Sequence, residues 1–216
     1  MKTFAPREDL IREGDKPHVV NLVLEGWAQR YKQLPNGRRQ ILSFFIPGDL
    51  CDANVFILKE MDHSVSAVTK LTIAEISRTD FEAMMESSPR ISQALWWKEL
   101  VTVAVQREWT TSLGQRTAYE RIAHLMCEMF IRLRTIGMTA DNCCEFPLTQ
   151  TEIADAAGLT PVHVNRTLQQ LRNDGLIDLD HKRLTIHDFG GLMKAAMFNP
   201  TYLHLEREGA HLDGVD

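Results

Sequence analysis

No stretch of this 216-residue chain approaches the run of about 18 apolar residues that a membrane span requires. The opening segment MKTFAPREDLIREGD also lacks the apolar core of a secretion signal. The chain therefore reads as cytoplasmic, with no membrane partner. Cysteine is scarce: Cys51, Cys127, Cys143 and Cys144 contain no C-x-x-C, and adjacent Cys143 and Cys144 are poorly placed to pair with each other or to complete a tetrahedral zinc site. Reduced thiols without a metal are expected, with redox sensing through Cys143 and Cys144 as the alternative. There is no P-loop, no G-x-S-x-G and no H-E-x-x-H, which removes the commonest enzymatic motifs. Positive charge is also short: 24 Lys and Arg against 29 Asp and Glu leave a net charge of −5. No global field attracts nucleic acid, because counterion release needs cations facing phosphates, so local distribution must decide.

With 44% hydrophobic and 25% charged residues, the composition is that of a folded globular protein. In the first 81 residues, glycines fall at Gly14, Gly26, Gly37 and Gly48, with strand-like runs VVNLVLEG, WAQRYKQL and RQILSFFI between them. That spacing predicts a meander of short strands, and LPNGRR supplies an Asn36-Gly37 hairpin turn whose two central residues can both take positive φ. HSVSAVTKLTIAEIS continues the strand character. The first domain, residues 1–88, thus reads as a β sandwich or roll. After RTDFEAMMESSPR comes ISQALWWKELVTVAVQREWTTSL, without Gly or Pro. Ile91, Leu95, Val101 and Val105 recur at helical intervals, while Trp96, Trp97, Val103 and Ala104 lie at other angles. A helix apolar on several sides must be covered on several sides, most simply by the same helix of a second subunit. This assigns residues 89–114 to dimerisation. RTAYERIAHLMCEMFIRLRTIG then sets Ile122, Leu125, Met126, Met129 and Leu133 on one stripe and ends at Gly137. His124 reads as a surface or packing residue, and MTADNCCEFPLTQ as a loop.

The next segment carries the chemistry. Thr149 with Glu152 is a capping box that starts a helix near Gln150, and Gly158 breaks that helix. Thr160 caps a second helix with Pro161 at its first position. In this second helix Val164, Leu168 and Leu171 define a buried face. Val162, Arg166, Gln169 and Asn173 point the opposite way, Asn165 is on one flank, and His163 and Gln170 are on the other. Two short helices joined by a glycine-containing turn make a helix-turn-helix, which lays its second helix in the DNA major groove. From Phe146 to Gly190 there are four Lys or Arg against six Asp or Glu, which is unhelpful. Thr160 to Arg172, however, holds two Arg and no acid, and His181-Lys182-Arg183 stands at the tip of a hairpin-like wing. Val162, Asn165, Arg166 and Gln169 are the expected base readers. Gln150, Thr160, His163, Lys182 and Arg183 are the expected phosphate contacts.

Over nearly its whole length the chain resembles transcription regulators of the Crp/Fnr superfamily. The resemblance rests on the order of parts, on ILSFFIPGDL in the roll, and on EIADAAGLTPVHVNRTLQQLRNDGLI in the second half. It implies an α+β protein with an N-terminal, cyclic-nucleotide-binding-like β-roll, a long dimerisation helix and a winged helix-turn-helix within residues 115–216. It further implies a homodimer reading a palindrome in double-stranded DNA and meeting RNA polymerase. TPVHVNR and the tail FNPTYLHL are similar to a subgroup common in α-proteobacteria. Members that bind cyclic AMP carry a Gly-Glu pair after the PGD turn and an Arg-Ser pair on the next strand. Here these positions are Asp52 and Ala53, and His63 and Ser64. An effector pocket without the charge-assisted arginine contact implies that cyclic AMP is not the effector, and no cofactor is expected. No cysteine precedes Cys51, unlike in the iron-sulfur members, and a haem-responsive alternative rests only on scattered His and Met. The family's cytosine-reading glutamate corresponds to Val162, whereas the later arginine is kept as Arg166. The roll also resembles cupin barrels, but residues 1–90 hold only His18 and His63, short of the ligand set of a catalytic metal.

Overall fold

Turn glycines punctuate the first half of the chain: Gly14, Gly26, Gly37 and Gly48 all carry φ between +83° and +91°, a region closed to most side chains. At Gly26 the requirement is also steric, since a Cβ would lie 2.1 Å from Lys70 O. The computed structural model describes residues 1–53 and 55–205; the end of the 115–216 assignment lies outside the described residues. The first part contains β1 (Lys2–Phe4), β2 (Asp9–Ile11), β3 (Val19–Glu25), β4 (Ala28–Gln33), β5 (Arg39–Phe45), β6 (Leu50–Cys51), β7 (Ser64–Ala67) and β8 (Leu71–Ser77). They form two four-stranded sheets, β1-β8-β3-β6 and β2-β7-β4-β5, with antiparallel pairing such as Val23 opposite Ile73 and Arg30 opposite Val65. The expected roll is present. Phe4, Val23, Ala28, Phe45, Val65 and Ile73 fill its centre. The expected turn at Asn36-Gly37 needs correction. Five residues, 34–38, join β4 to β5, only Gly37 of the pair has positive φ, and Asn36 Oδ1 accepts from Arg38 N at 3.1 Å. A loop of that length closes without two left-handed residues.

The segment RTDFEAMMESSPR, given no element above, forms α1 (Arg78–Ser87), capped by Ser77 Oγ accepting from Asp80 N at 3.1 Å. The following helix, α2 (Pro89–Gln115), is two residues longer at each end than the apolar pattern marks. Leu95 joins a second cluster with Val20, Ala53, Val55, Met61 and Phe81, and Lys98 Nζ lies 2.6 Å from Asp49 Oδ1. On another side of α2, Trp96, Leu100 and Val103 are 67%, 65% and 47% exposed. Their spacing of four and three places them on one stripe, so the described residues leave an apolar face of this helix exposed.

The described residues group into two compact units, Met1–Pro35 with Leu42–Arg107 and the chain from Thr201 onward, and Asn36–Ile41 with Glu108–Pro200. In the second, α3 (Ala118–Thr135) is buried on nearly all sides, not on one stripe alone: Ala123, His124, Cys127, Glu128, Phe130 and Ile131 join the expected Ile122, Leu125, Met126, Met129 and Leu133. His124 is a packing residue, 2% exposed, with its ring against Phe198 at 4.9 Å. Glu128, also sealed, accepts from Trp109 Nε1 at 3.1 and 3.2 Å. The expected loop MTADNCCEFPLTQ is corrected to two short strands, β9 (Thr139–Ala140) and β10 (Cys143–Glu145). They extend a sheet of order β11-β12-β10-β9 with β11 (Ile177–Asp180) and β12 (Arg183–Ile186). The chain adds α4 (Gln150–Ala157) and α5 (Pro161–Asn173) before the wing and α6 (Phe189–Ala195) after it.

Candidate nucleic-acid interface

Local chemistry sets α4 and α5 as the sequence predicts. Thr149 Oγ1 accepts from Glu152 N at 3.2 Å, and Glu152 Oε2 accepts from Thr149 N at 2.7 Å, closing the capping box. Gly158 ends α4 in the left-handed region, φ +63°. Thr160 then caps α5, its Oγ1 accepting from His163 N at 3.3 Å, with Pro161 in the first turn. Ile153, Ala154, Ala156 and Ala157 of α4 are buried, as are Val164, Thr167, Leu168 and Leu171 of α5. Tyr119 donates to Asp174 Oδ2 at 2.6 Å, holding the C-terminal end of α5; burial, with that hydrogen bond, pushes the phenol up to about 12.

The opposite face of α5 is open. Val162 is 64% exposed, and His163, Asn165, Arg166, Gln169, Gln170 and Asn173 are exposed with it. Arg166 makes no hydrogen bond or ion pair with any described residue, so its guanidinium is available with all five N–H donors. Gln169 instead donates to Asn173 Oδ1 at 3.3 Å and must exchange that bond to read a base. Of the two arginines from Thr160 to Arg172, Arg172 is differently placed. It is half-buried and donates from NH2 to Leu179 O, so it fastens the wing to α5. Of the expected backbone contacts, Gln150, Thr160, His163, Lys182 and Arg183 are all exposed.

The wing turn consists of His181 and Lys182, with φ of +46° and +63°, the conformation of a two-residue hairpin turn with two left-handed residues. Arg183 opens β12 opposite Glu145 and is not itself at the tip. Cys143 and Cys144 face opposite sides of β10, as alternation along a strand demands. Cys144 is buried, its thiol pushed up to about 12 chiefly by that burial. Cys143 is half-exposed, with Sγ 3.2 Å from Thr185 Oγ1. Hydrogen bonding from Thr185 and then Arg183 lowers its thiol below the usual range. The two cysteines therefore differ in exposure and in the direction of their thiol shifts.

In the roll, the expected effector positions are only partly brought together. Asp52 and His63 meet, His63 Nε2 lying 3.0 Å from Asp52 Oδ2 and Nδ1 2.7 Å from Asp62 Oδ1. Arg30, not identified from the sequence, completes the cluster by pairing with Asp52, and its guanidinium stands 5.0 Å over the Phe45 ring. Burial raises the Asp52 carboxyl, but the His63 hydrogen bond and the Arg30 charge outweigh it and hold it below the usual range. Asp52 adopts φ +63°, an uncommon conformation for a residue with a side chain. Ala53 lies apart, 1% exposed in the second core cluster, and Ser64 Oγ accepts from Glu13 N at 3.0 Å. The Asp52 carboxylate thus already pairs with Arg30 and hydrogen-bonds His63 in this part of the roll, while Arg30 Nε stays buried without a partner among the described residues. Alternation along β4 was the available signal for Arg30, but it does not identify a partner 22 residues away.

A β-roll, a long helix and a winged helix-turn-helix, in that order, define a DNA-binding transcription regulator. Residues 1–88 match the cyclic nucleotide-binding domain and residues 120–195 the Crp-like helix-turn-helix domain. The chain belongs to the Crp/Fnr family. It is 31% identical to the transcriptional activator protein FnrL of Cereibacter sphaeroides over 90% of this chain and 79% of that protein. It is 29% identical to the nitrogen fixation regulation protein FixK of Bradyrhizobium diazoefficiens, over 86% and 77%. The structure of FixK2 from Bradyrhizobium japonicum has the same fold, with a TM-score of 0.80 at 23% identity, covering 90% of this chain and 95% of that one. The relatives are regulators of transcription, not enzymes. No helix among the described residues is long and apolar enough to cross a membrane.

Proposed function

We infer that this regulator works as a cytoplasmic homodimer that reads a palindromic operator through the major groove and acts on RNA polymerase, without cyclic AMP. The observation that carries the reading is Arg166: exposed and unpaired on a helix whose other side Val164, Leu168 and Leu171 fix in the core. Residues 1–88 serve as the sensory part, 89–114 as the dimerising helix and 115–216 as the DNA-binding part. A two-fold pair of α5 helices would meet half-sites about one DNA turn apart. In this reading Arg166 donates two hydrogen bonds to a guanine, Asn165 reads an adenine, Val162 meets a thymine methyl and Gln169 reads a neighbouring base. Gln150, Thr160, His163, Lys182 and Arg183 hold phosphates. The TPVHVNR helix places the chain beside an α-proteobacterial subgroup, a placement supported by its likeness to FnrL and FixK. The internal Asp52–Arg30–His63 cluster supports the absence of cyclic-nucleotide control, because a phosphate would compete with a carboxylate already in place. A second reading, a redox input, is favoured at Cys143 alone, whose lowered thiol lies beside Arg183.

Footprinting on genomic fragments, followed by titration of the recovered site, tests the main reading. A palindromic footprint with steep salt dependence is the expected result. Binding of duplex DNA without sequence preference at every salt concentration would remove it.

A further inference from the structure

The roll contains a cavity distinct from the Asp52 cluster. About 240 Å³ in volume, it lies against β2, the segment before β3, the start of β3 and β8, and it shares no lining residue with Arg30, Asp52, Ala53, His63 or Ser64. Its lining mixes polar groups with the apolar side chains of Leu10, Ile11, Pro17, Val19, Val55 and Met61. Asn21, only 3% exposed, is its single buried polar side chain. The amide makes no hydrogen bond to any described residue, and its Oδ1 is sealed from solvent without a partner. An unpaired buried amide costs about 1 to 3 kcal/mol, so this group is retained at a loss unless something else satisfies it. A half-turn of the amide exchanges oxygen and nitrogen, and a hydroxyl, which both donates and accepts, complements either end.

The rim is charged, but not symmetrically. Its two acids are engaged: Asp15 Oδ2 accepts from Arg12 N at 2.8 Å, and Glu75 pairs with Lys2 at 3.5 Å. Its two basic side chains, Lys16 and His18, are exposed and bound to nothing among the described residues. Available donors at the mouth, apolar side chains along one stretch of wall and an unsatisfied amide within select an anionic head, a hydrocarbon middle and a hydroxyl. We propose that this cavity binds a small hydroxylated aliphatic carboxylate, which makes it a ligand site of the sensory roll separate from the cyclic-nucleotide position. Retention of only water is the competing outcome, since a polar cavity of this size also accommodates solvent.

The test uses the full chain, isotopically labelled and free of DNA, so its result is independent of the operator reading. The probes are 8-hydroxyoctanoate, octanoate and octanol, followed by amide chemical shifts and calorimetry. The expected result is saturable binding of 8-hydroxyoctanoate with a Kd between roughly 10 μM and 1 mM, with shifts centred on Ile11, Val19, Asn21 and Met61. Octanoate and octanol should each bind several-fold more weakly. Replacing both Lys16 and His18 with alanine should weaken both carboxylates about fivefold or more and leave octanol unchanged. Both residues are exposed, so this variant keeps the test available if a core change fails to fold. Asn21→Leu should erase the preference for the hydroxylated probe over octanoate. No saturable binding at 5 mM by a folded protein overturns the proposal, as does binding that is indifferent to both sets of substitutions.

Discussion

Arg166 and Arg183 are both exposed arginines of the DNA-binding half, yet their surroundings differ, and the proposed reading gives them different work. Arg166 has no partner among the described residues, whereas Arg183 stands opposite Glu145 and beside Cys143, at the edge of the wing. Arg166→Ala is expected to cost on the order of 1 to 3 kcal/mol at one guanine and to relax preference there. Arg183→Ala should weaken all duplexes about equally and reduce the salt slope by roughly one unit. Titrating both variants on the operator, on an operator lacking that guanine and on random duplex separates the roles. A reversal of the two patterns would show that reader and anchor are interchanged. Asp52 gives a second prediction at this scale. Asp52→Asn removes the carboxylate that pairs with Arg30, and because both side chains keep some solvent contact, about 2 kcal/mol of stability should be lost, below the full cost for a sealed pair. The native carboxyl is held below its ordinary value. Its contribution is therefore complete above about pH 3.9, the unfolded value, and is lost as the pH falls through the lower folded value. Denaturant titration at pH 7 and in acid should show the gap between wild type and variant closing on acidification. Calorimetry with millimolar cyclic AMP should show no specific heat for either protein.

Elements whose signals are local were legible, and those that depend on distant partners were not. The starts of α4 and α5 follow from Thr149, Glu152, Thr160 and Pro161, all within one turn of where they act, and the structure reproduces both caps. The buried face of α5 was likewise legible, because Val164, Leu168 and Leu171 recur at helical spacing. By contrast, β10 is three residues long and owes its existence to pairing with β12, some 40 residues later, as between Cys144 and Leu184. Nothing within MTADNCCEFPLTQ announces that ladder. The same limit concealed Arg30, and it made one face of α3 appear sufficient, although α3 is buried on nearly all sides, against Trp109 of the preceding helix and against elements that follow it. The α4–α5 turn provides the test at this scale. At Gly158, φ is +63° and an added Cβ would come within 3.1 Å of Leu113 Cδ2. Gly158→Ala should therefore cost about 1 to 2 kcal/mol of stability and weaken operator binding by displacing α5. Thermal unfolding and DNA titration would measure both effects. An unchanged melting temperature would show that the turn accommodates a side chain.

Two properties belong to the whole chain. The first is acid sensitivity. His124 is buried, and although Glu108 Oε1 lies 3.3 Å from its Nε2, that carboxylate is committed to Arg116 at 2.5 Å. Burial, and then the Arg116 charge, hold the imidazole neutral down to about pH 3. Between that value and an unfolded pKa of about 6.5 the unfolded chain binds the extra proton, so stability rises with pH across this window. On the order of 2 kcal/mol should be lost between pH 7 and pH 5, and His124→Phe, which keeps a ring against Phe198, should flatten that slope. Denaturant midpoints at the two pH values check it. The second property is assembly. A chain of net charge −5 with one free arginine on α5 gains little from a single encounter with DNA, and two linked reading heads multiply modest affinities through effective concentration. In the proposed dimer the exposed face of α2 would supply the linkage: Trp96, Leu100 and Val103 are exposed together and form an apolar stripe that a two-fold partner would bury. Replacing Trp96 and Leu100 with serine removes most of that stripe without touching Leu95 or Ala104 in the core. The variant should sediment as a folded monomer at micromolar concentration. It should bind an isolated half-site about as well as the native chain and lose about 100-fold on the full palindrome, the lower end of the gain from linkage. If the native chain itself sediments as a monomer with and without DNA, the dimer reading fails; if the variant stays dimeric, the interface lies elsewhere than this stripe.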